Sequence, residues 1–221
     1  MMNILSILTI FISILFSSIS LASVKEKMEL NYYSPFKVDM NTFQCKLKIE
    51  GVTEYLNEIK SLGDIKNVYY SLKWEKGKKI SIKVEGLPEG FAEIKSQLIQ
   101  QVSPYIYVLY PNKFIQSLKE QKGVKFNLNS REVVSKITSK NREINFTYKN
   151  YDSNRKLMWN KIEDKYGAVR VQIDIENGKY QKWFFPEKVD INSYLTDSSG
   201  KSKTISKRTL MFYDFKVNEN L

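Results

Sequence analysis

From Phe43 the chain alternates apolar and polar residues. Phe43, Cys45, Leu47 and Ile49 fall on one side; Gln44, Lys46, Lys48 and Glu50 fall on the other. Successive side chains of a strand point to opposite faces, so this period of two predicts a strand with one face in solvent. The same pattern returns at Val68, Tyr70, Leu72 and Trp74, and again at Ile80, Ile82 and Val84. It recurs at Val124, Phe126 and Leu128, at Ile144, Phe146 and Tyr148, at Leu157 and Trp159, and from Val169 to Ile175. Tyr180 to Phe185, Val189 with Ile191, and a long stretch from about Thr204 to Val217 complete the set. Tyr105 to Tyr110 is a continuous apolar run and reads as a buried strand. Turns are expected at Glu75-Lys76-Gly77-Lys78, at Asn177-Gly178 and at Asp197-Ser198-Ser199-Gly200.

Three segments change to helical spacing. Val52, Tyr55, Leu56, Ile59 and Leu62 share one helix face, stopped by Gly63. Phe91, Ile94, Leu98, Ile99 and Val102 share another, ending before Pro104. Pro111 opens a short third helix carrying Phe114, Ile115 and Leu118. About ten one-sided strands and three short helices predict an α+β chain, mainly antiparallel, with connections that suit a sequential meander. So few helices cannot cover so much apolar sheet. The economical shape is therefore a curved, incomplete β-barrel, a half-barrel with the helices as lid or plug, and such a shape is a container. Cys45, in phase with Phe43 and Leu47, is expected to be an inward, unreactive thiol.

Residues 1–22 stand apart from this pattern. An apolar run from Ile4 to Phe16 leads to Ser20 and Ala22, small residues at the −3 and −1 places of a secretory cleavage site. They are read as a signal peptide, with residues 23–221 as a single domain, exported and periplasmic. The alternative is an uncleaved N-terminal membrane anchor, since Met1-Met2-Asn3 carries no basic side chain.

Composition removes whole classes of chemistry. The chain has no His, so catalysis by Ser-His-Asp or Cys-His groups and imidazole metal ligation are excluded. Its single Cys forms neither an internal disulfide nor a thiolate metal site. Carboxylates such as Glu163-Asp164, or Asp174 and Glu176, are the candidates for acid–base work, but Asp174 and Glu176 lie on the polar side of an alternating strand and read as solvated. No catalytic residue, cofactor or metal is therefore expected. Lys and Arg number 35 against 24 Asp and Glu, a net +11. That excess favours anionic partners such as a membrane surface, or else serves solubility through self-repulsion, since no block of consecutive positive charges appears; no basic helix or aromatic–basic motif points to nucleic acid.

One resemblance supplements this reading. The stretch Arg208-Thr209-Leu210-Met211-Phe212-Tyr213-Asp214-Phe215-Lys216-Val217-Asn218 resembles the last strand of the LolA/LolB-like outer-membrane lipoprotein carriers. Trp183-Phe184-Phe185-Pro186-Glu187-Lys188-Val189, followed by a Ser-Gly turn, is similar to their closing hairpin. The resemblance implies an incomplete antiparallel barrel with a helical lid, holding lipid or lipoprotein acyl chains in an apolar cavity. The helical segment 91–122 departs from the carriers, and no functional residue is carried over.

The expected function is a non-enzymatic binder or carrier of lipid or acylated protein, acting as a monomer. Its candidate cavity lining is the apolar strand face: Tyr70, Leu72, Trp74, Ile82, Val84, Phe146, Tyr148, Trp159, Val171 and Ile173. The alternative is an envelope interaction module with a fully packed core, for which Asn31-Tyr32-Tyr33 and Tyr105 to Tyr110 are candidate contact surfaces.

Overall fold

Ten strands and two α-helices make up the computed structural model, which describes residues 32–33, 40–59, 63, 65–109, 114–115, 122–150 and 156–219. The segment expected to be a signal peptide and most of the helix expected after Pro111 lie outside these residues; Phe114 and Ile115 of that helix are helical. The strands are β1 (Thr42–Ile49), β2 (Tyr69–Glu75), β3 (Ser81–Glu85), β4 (Lys125–Leu128), β5 (Val134–Ser139), β6 (Arg142–Asn150), β7 (Leu157–Tyr166), β8 (Val169–Tyr180), β9 (Trp183–Thr196) and β10 (Ser202–Val217). The helices are α1 (Val52–Asn57) and α2 (Ala92–Val102), and a 3-10 helix spans Ser103–Leu109.

All the strands form one antiparallel sheet in the order β3-β2-β1-β10-β9-β8-β7-β6-β5-β4. The sheet is not closed. Strands 4 to 10 are a plain meander, and the exception is the β1–β10 pair, which joins the two ends of the sequence. β10 makes that junction by being long. Ser202 to Met211 pairs with β9, whereas Leu210 to Val217 pairs with β1. The three-strand and six-strand groups on either side of β10 are thus staggered along it.

The inner face carries the core. β1 buries every second residue, and Cys45 is fully buried and unpaired. Burial alone pushes the Cys45 thiol well above its ordinary range. A bulge between Gln44 and Lys46 accommodates the C-terminal motif, where Asp214 takes a positive φ of 55° and its carboxylate accepts from Lys46 at 2.7 Å. Asn218 closes the strand by accepting the Asn41 backbone N–H at 2.7 Å.

Four local expectations change. Tyr105 to Leu109 is not a strand. Pro104 sits in the first turn of a 3-10 helix, where its missing N–H costs nothing, and the Ser103 hydroxyl donates to the Ile99 carbonyl at 2.7 Å. Asn177-Gly178 is not a turn. β8 continues to Tyr180 and the reversal is at Gln181-Lys182, with Gln181 at φ 53°. Asn177 instead stands at a bulge and gives its side-chain N–H to the Trp159 carbonyl at 3.0 Å, where β7 and β8 part. The separate strands expected at 180–185 and 189–191 are one strand, β9, whose Pro186 lies before its pairing with β10 begins. β5 has no counterpart in the alternation, because its buried residues Val134 and Ile137 are three apart.

Candidate functional site

The route from β3 to β4 runs between the two free edges of the sheet and supplies the cover of its inner face. α2 buries Leu98 and Val102, four residues apart, and packs on β3. The 3-10 helix then divides its residues by its own period of three. Ile106 and Leu109 enter the core, while Tyr105 and Val108 face the wall of a cavity.

That cavity has a volume of about 250 Å³ and lies between the 3-10 helix and the inner face of β6, β7 and β8. Pro104, Tyr105, Tyr107, Val108 and Phe114 form one wall. Ile144, Trp159, Ile162, Val171 and Ile173 form the other. An aromatic cluster anchors one side: Trp159 stacks on Phe146 at 5.1 Å, and Phe114 meets Trp159 edge-on at 5.9 Å.

The polar margin is one ion pair. Arg142 and Asp164 stand on the inner face, since Arg142 is in phase with Ile144 on β6 and Asp164 pairs with Ile144 across β7. The guanidinium donates from Nε at 2.9 Å and from Nη2 at 2.6 Å, a bidentate fork. The Asp164 hydrogen bond raises the Arg142 pKa above its ordinary value. A guanidinium has five N–H donors, so Arg142 keeps three beyond those given to Asp164.

Behind the aromatic cluster, Tyr32 fills the inner face. It is buried, bridges in parallel to Leu157, and its hydroxyl hydrogen-bonds that of Tyr148 at 2.7 Å. Tyr148 donates to the Val134 carbonyl. The Trp159 indole N–H is near both phenols yet outside hydrogen-bond geometry. Burial, the largest cause in each case, raises the Tyr32 phenol far above its ordinary range and the Tyr148 phenol to about 12. Tyr33 accepts the Phe184 backbone N–H at 2.8 Å. Tyr32 is therefore part of the core and not a contact surface.

The ten residues singled out from the sequence separate into two groups. Trp159, Val171 and Ile173 line the cavity, with Phe146 and Tyr148 packed in the aromatic cluster beside it. Tyr70, Leu72, Trp74 and Val84 are buried on β2 and β3, and Ile82 is half-buried against the same core; none of these five is a wall of that cavity. Among the described residues the Tyr70 hydroxyl has no hydrogen-bond partner, and burial raises its pKa to about 12. Sequence reasoning missed Arg142 and the inward placement of Asp164 beside it. Their phase with Ile144 and Ile162 was the available signal, obscured because charged residues are ordinarily placed on the solvent side.

The outer face divides by charge. On β5 to β9, Lys136, Lys161, Lys165, Arg170 and Lys188 stand among Glu143, Glu163, Asp174, Glu176 and Asp190. Most are joined: Lys136 to Glu143 at 2.7 Å, Lys161 and Arg170 to Glu163 at 2.9 Å, and Lys188 to Asp190 at 2.7 Å. Those partners hold Glu143, Glu163 and Asp190 below the usual carboxylate range. On β3, β2, β1 and the second half of β10 the balance fails. One row across the strands reads Ser81, Lys73, Gln44, Lys216; the next reads Lys83, Ser71, Lys46, Tyr213. Beyond these, Lys48 lies opposite Met211 and Tyr69 opposite Glu85.

Among the described residues no group of three or more Cys, Asp or Glu is placed to hold a metal, and no helix is long and apolar enough to cross a membrane. Comparison with known proteins adds no relative: no family model matches the chain, and no curated protein matches it.

Proposed function

We propose that this chain is a non-enzymatic binder of acyl chains that acts outside the cytosol as a carrier of lipid or of an acylated protein. The observation that carries this reading is the cavity of about 250 Å³, with aliphatic and aromatic walls and a single ion pair at its margin. An apolar cavity with few polar groups suits a ligand that is mostly hydrocarbon. The open sheet, staggered along β10, is read as an incomplete barrel, with α2 and the 3-10 helix as its lid. The remaining donors of Arg142 suit the oxygen atoms of a headgroup or ester at the polar end of the chain. The apolar N-terminal run, ending on a signal-peptidase-like site, supports the location.

The test is native mass spectrometry of the purified protein for co-purified lipid, followed by displacement of a fluorescent fatty acid from delipidated protein. Bound acyl chains are the expected result. Folded, delipidated protein that takes up no acyl-chain ligand overturns the reading. A second reading, an interaction module with a packed core, draws on the β1–β3 half, where α2 packs over β3 and Tyr70, Leu72 and Val84 are buried.

A further inference from the structure

The net charge of this chain is not spread evenly over its sheet. On the outer face of β5 to β9, lysines and carboxylates alternate and pair. On the outer face of β3, β2, β1 and the end of β10, Lys48, Lys73, Lys83 and Lys216 have no ion-pair partner among the described residues. Gln44 separates Lys73 from Lys216 by one strand on each side, so those two cations are about 10 Å apart at the usual strand spacing. That distance is near the Debye length at ordinary ionic strength, so those two cations reinforce each other's field. Met211, 47% exposed, and the half-buried Tyr213 lie between them. Asp214 on the same face is taken up by Lys46 at 2.7 Å and Glu85 stands at its edge opposite Tyr69, so the face keeps a net positive charge.

We propose that this face docks the protein on an anionic phospholipid bilayer, with the four lysines on the headgroups and Met211 and Tyr213 at the interfacial level. The chemistry fits a fluid anionic surface. Lysine ammonium groups act as point charges that need no fixed geometry, and tyrosine favours the membrane–water interface. The face has neither a basic helix nor an aromatic platform for nucleic-acid bases. This inference does not depend on the cavity, since a protein with a filled core would dock by the same face.

The experiment is sedimentation with vesicles of phosphatidylcholine alone or mixed with phosphatidylglycerol, using the full chain. The apolar N-terminal run is common to every preparation, so differences between variants report the face. The parent is expected to bind the anionic vesicles preferentially and to lose that preference in high salt. Near such a surface each lysine adds about 1 kcal/mol, so replacing Lys48, Lys73, Lys83 and Lys216 with Ser should weaken partitioning at least about a hundredfold. Replacing the same four with Arg should retain it. Removing four lysines elsewhere, Lys125, Lys165, Lys201 and Lys203, should change it by less than about threefold. The proposal is overturned if the face variant binds as the parent does, if the Arg variant fails to bind, or if the control loses as much. A parent that prefers soluble polyglutamate to anionic vesicles overturns it too, and would assign the face to an acidic protein.

Discussion

Filling the cavity should abolish acyl-chain binding while leaving the fold intact, and Val171→Phe is the substitution to make. Val171 is half-buried on β8 and its side chain is part of the cavity wall. At about 30 Å³ for a methylene-sized group, the volume a water occupies in the liquid, a cavity of about 250 Å³ holds about eight such groups. Each buried methylene contributes about 0.8 kcal/mol, so the apolar contribution is about 6 kcal/mol, which corresponds to dissociation constants of tens of micromolar. Phe adds four heavy atoms to Val and removes about half of that capacity. The loss is about 3 kcal/mol, a weakening of more than a hundredfold. The aromatic ring suits a strand and enters open space, so thermal stability should be unchanged or slightly higher. Fluorescent fatty-acid displacement reads the affinity, and thermal unfolding reads the fold. A folded Val171→Phe protein that binds within threefold of the parent refutes the placement of the chain in this cavity.

Three other expectations follow from particular groups. The buried phenols of Tyr32, Tyr70 and Tyr148 are raised above their ordinary value of 10, so the folded state holds their protons more tightly than the unfolded chain does. Their contribution to stability is complete below pH 10 and falls above it, by about 1.4 kcal/mol per pH unit for each group, until about pH 12 for Tyr70 and Tyr148. Denaturant unfolding between pH 9 and 12, with ultraviolet titration of tyrosinate, should show this; a flat profile contradicts the burial. Gly86→Ala should destabilise by at least about 2 kcal/mol, because φ is 87° and an added Cβ would lie 1.9 Å from the Asn67 carbonyl oxygen. Gly178→Ala should cost less than about 1 kcal/mol, because there the obstacle is the movable carboxylate of Glu187; equal midpoint shifts for the two variants count against this account. Cys45 should react with a thiol reagent only after unfolding, since it is fully buried and its thiolate is disfavoured.

The failures of sequence reasoning share a cause. Asn177-Gly178 has the composition of a tight turn, yet β9 continues to pair with β8 as far as Tyr180 opposite Trp183. Long-range pairing outweighed the local turn preference, and Asn177 instead stands opposite the bulge at Glu187 and gives its side-chain N–H to the Trp159 carbonyl. Tyr105 to Leu109 has strand-like composition but no partner strand; Pro104 and the Ser103 hydroxyl continue the helix instead. β5 went unseen because its pairing with β4 shifts register near Leu128, which breaks the period of two. Of the candidate lining, β7 and β8 contributed cavity walls and β2 and β3 did not. Both groups have the same alternation, and what differs is which part of the β3-to-β4 connection lies above them.

The sequence by itself determined which side of each regular strand is apolar, because backbone pleating converts a period of two directly into two faces. The inward placement of Cys45 and the one-sided character of β1 follow from that local rule, and the turn at Asp197 to Gly200 follows from its own residues, the Asp197 carboxylate accepting the Ser199 and Lys201 backbone N–H groups. Tertiary structure alone decided the junction of β1 with β10, the burial of Tyr32 against Tyr148, the meeting of Arg142 with Asp164 on the inner face, and the gathering of Lys48, Lys73, Lys83 and Lys216 at one end of the outer face. Each of these depends on which distant strand lies alongside. Alternation is the same for any partner, so it sets a residue's face but not its neighbour.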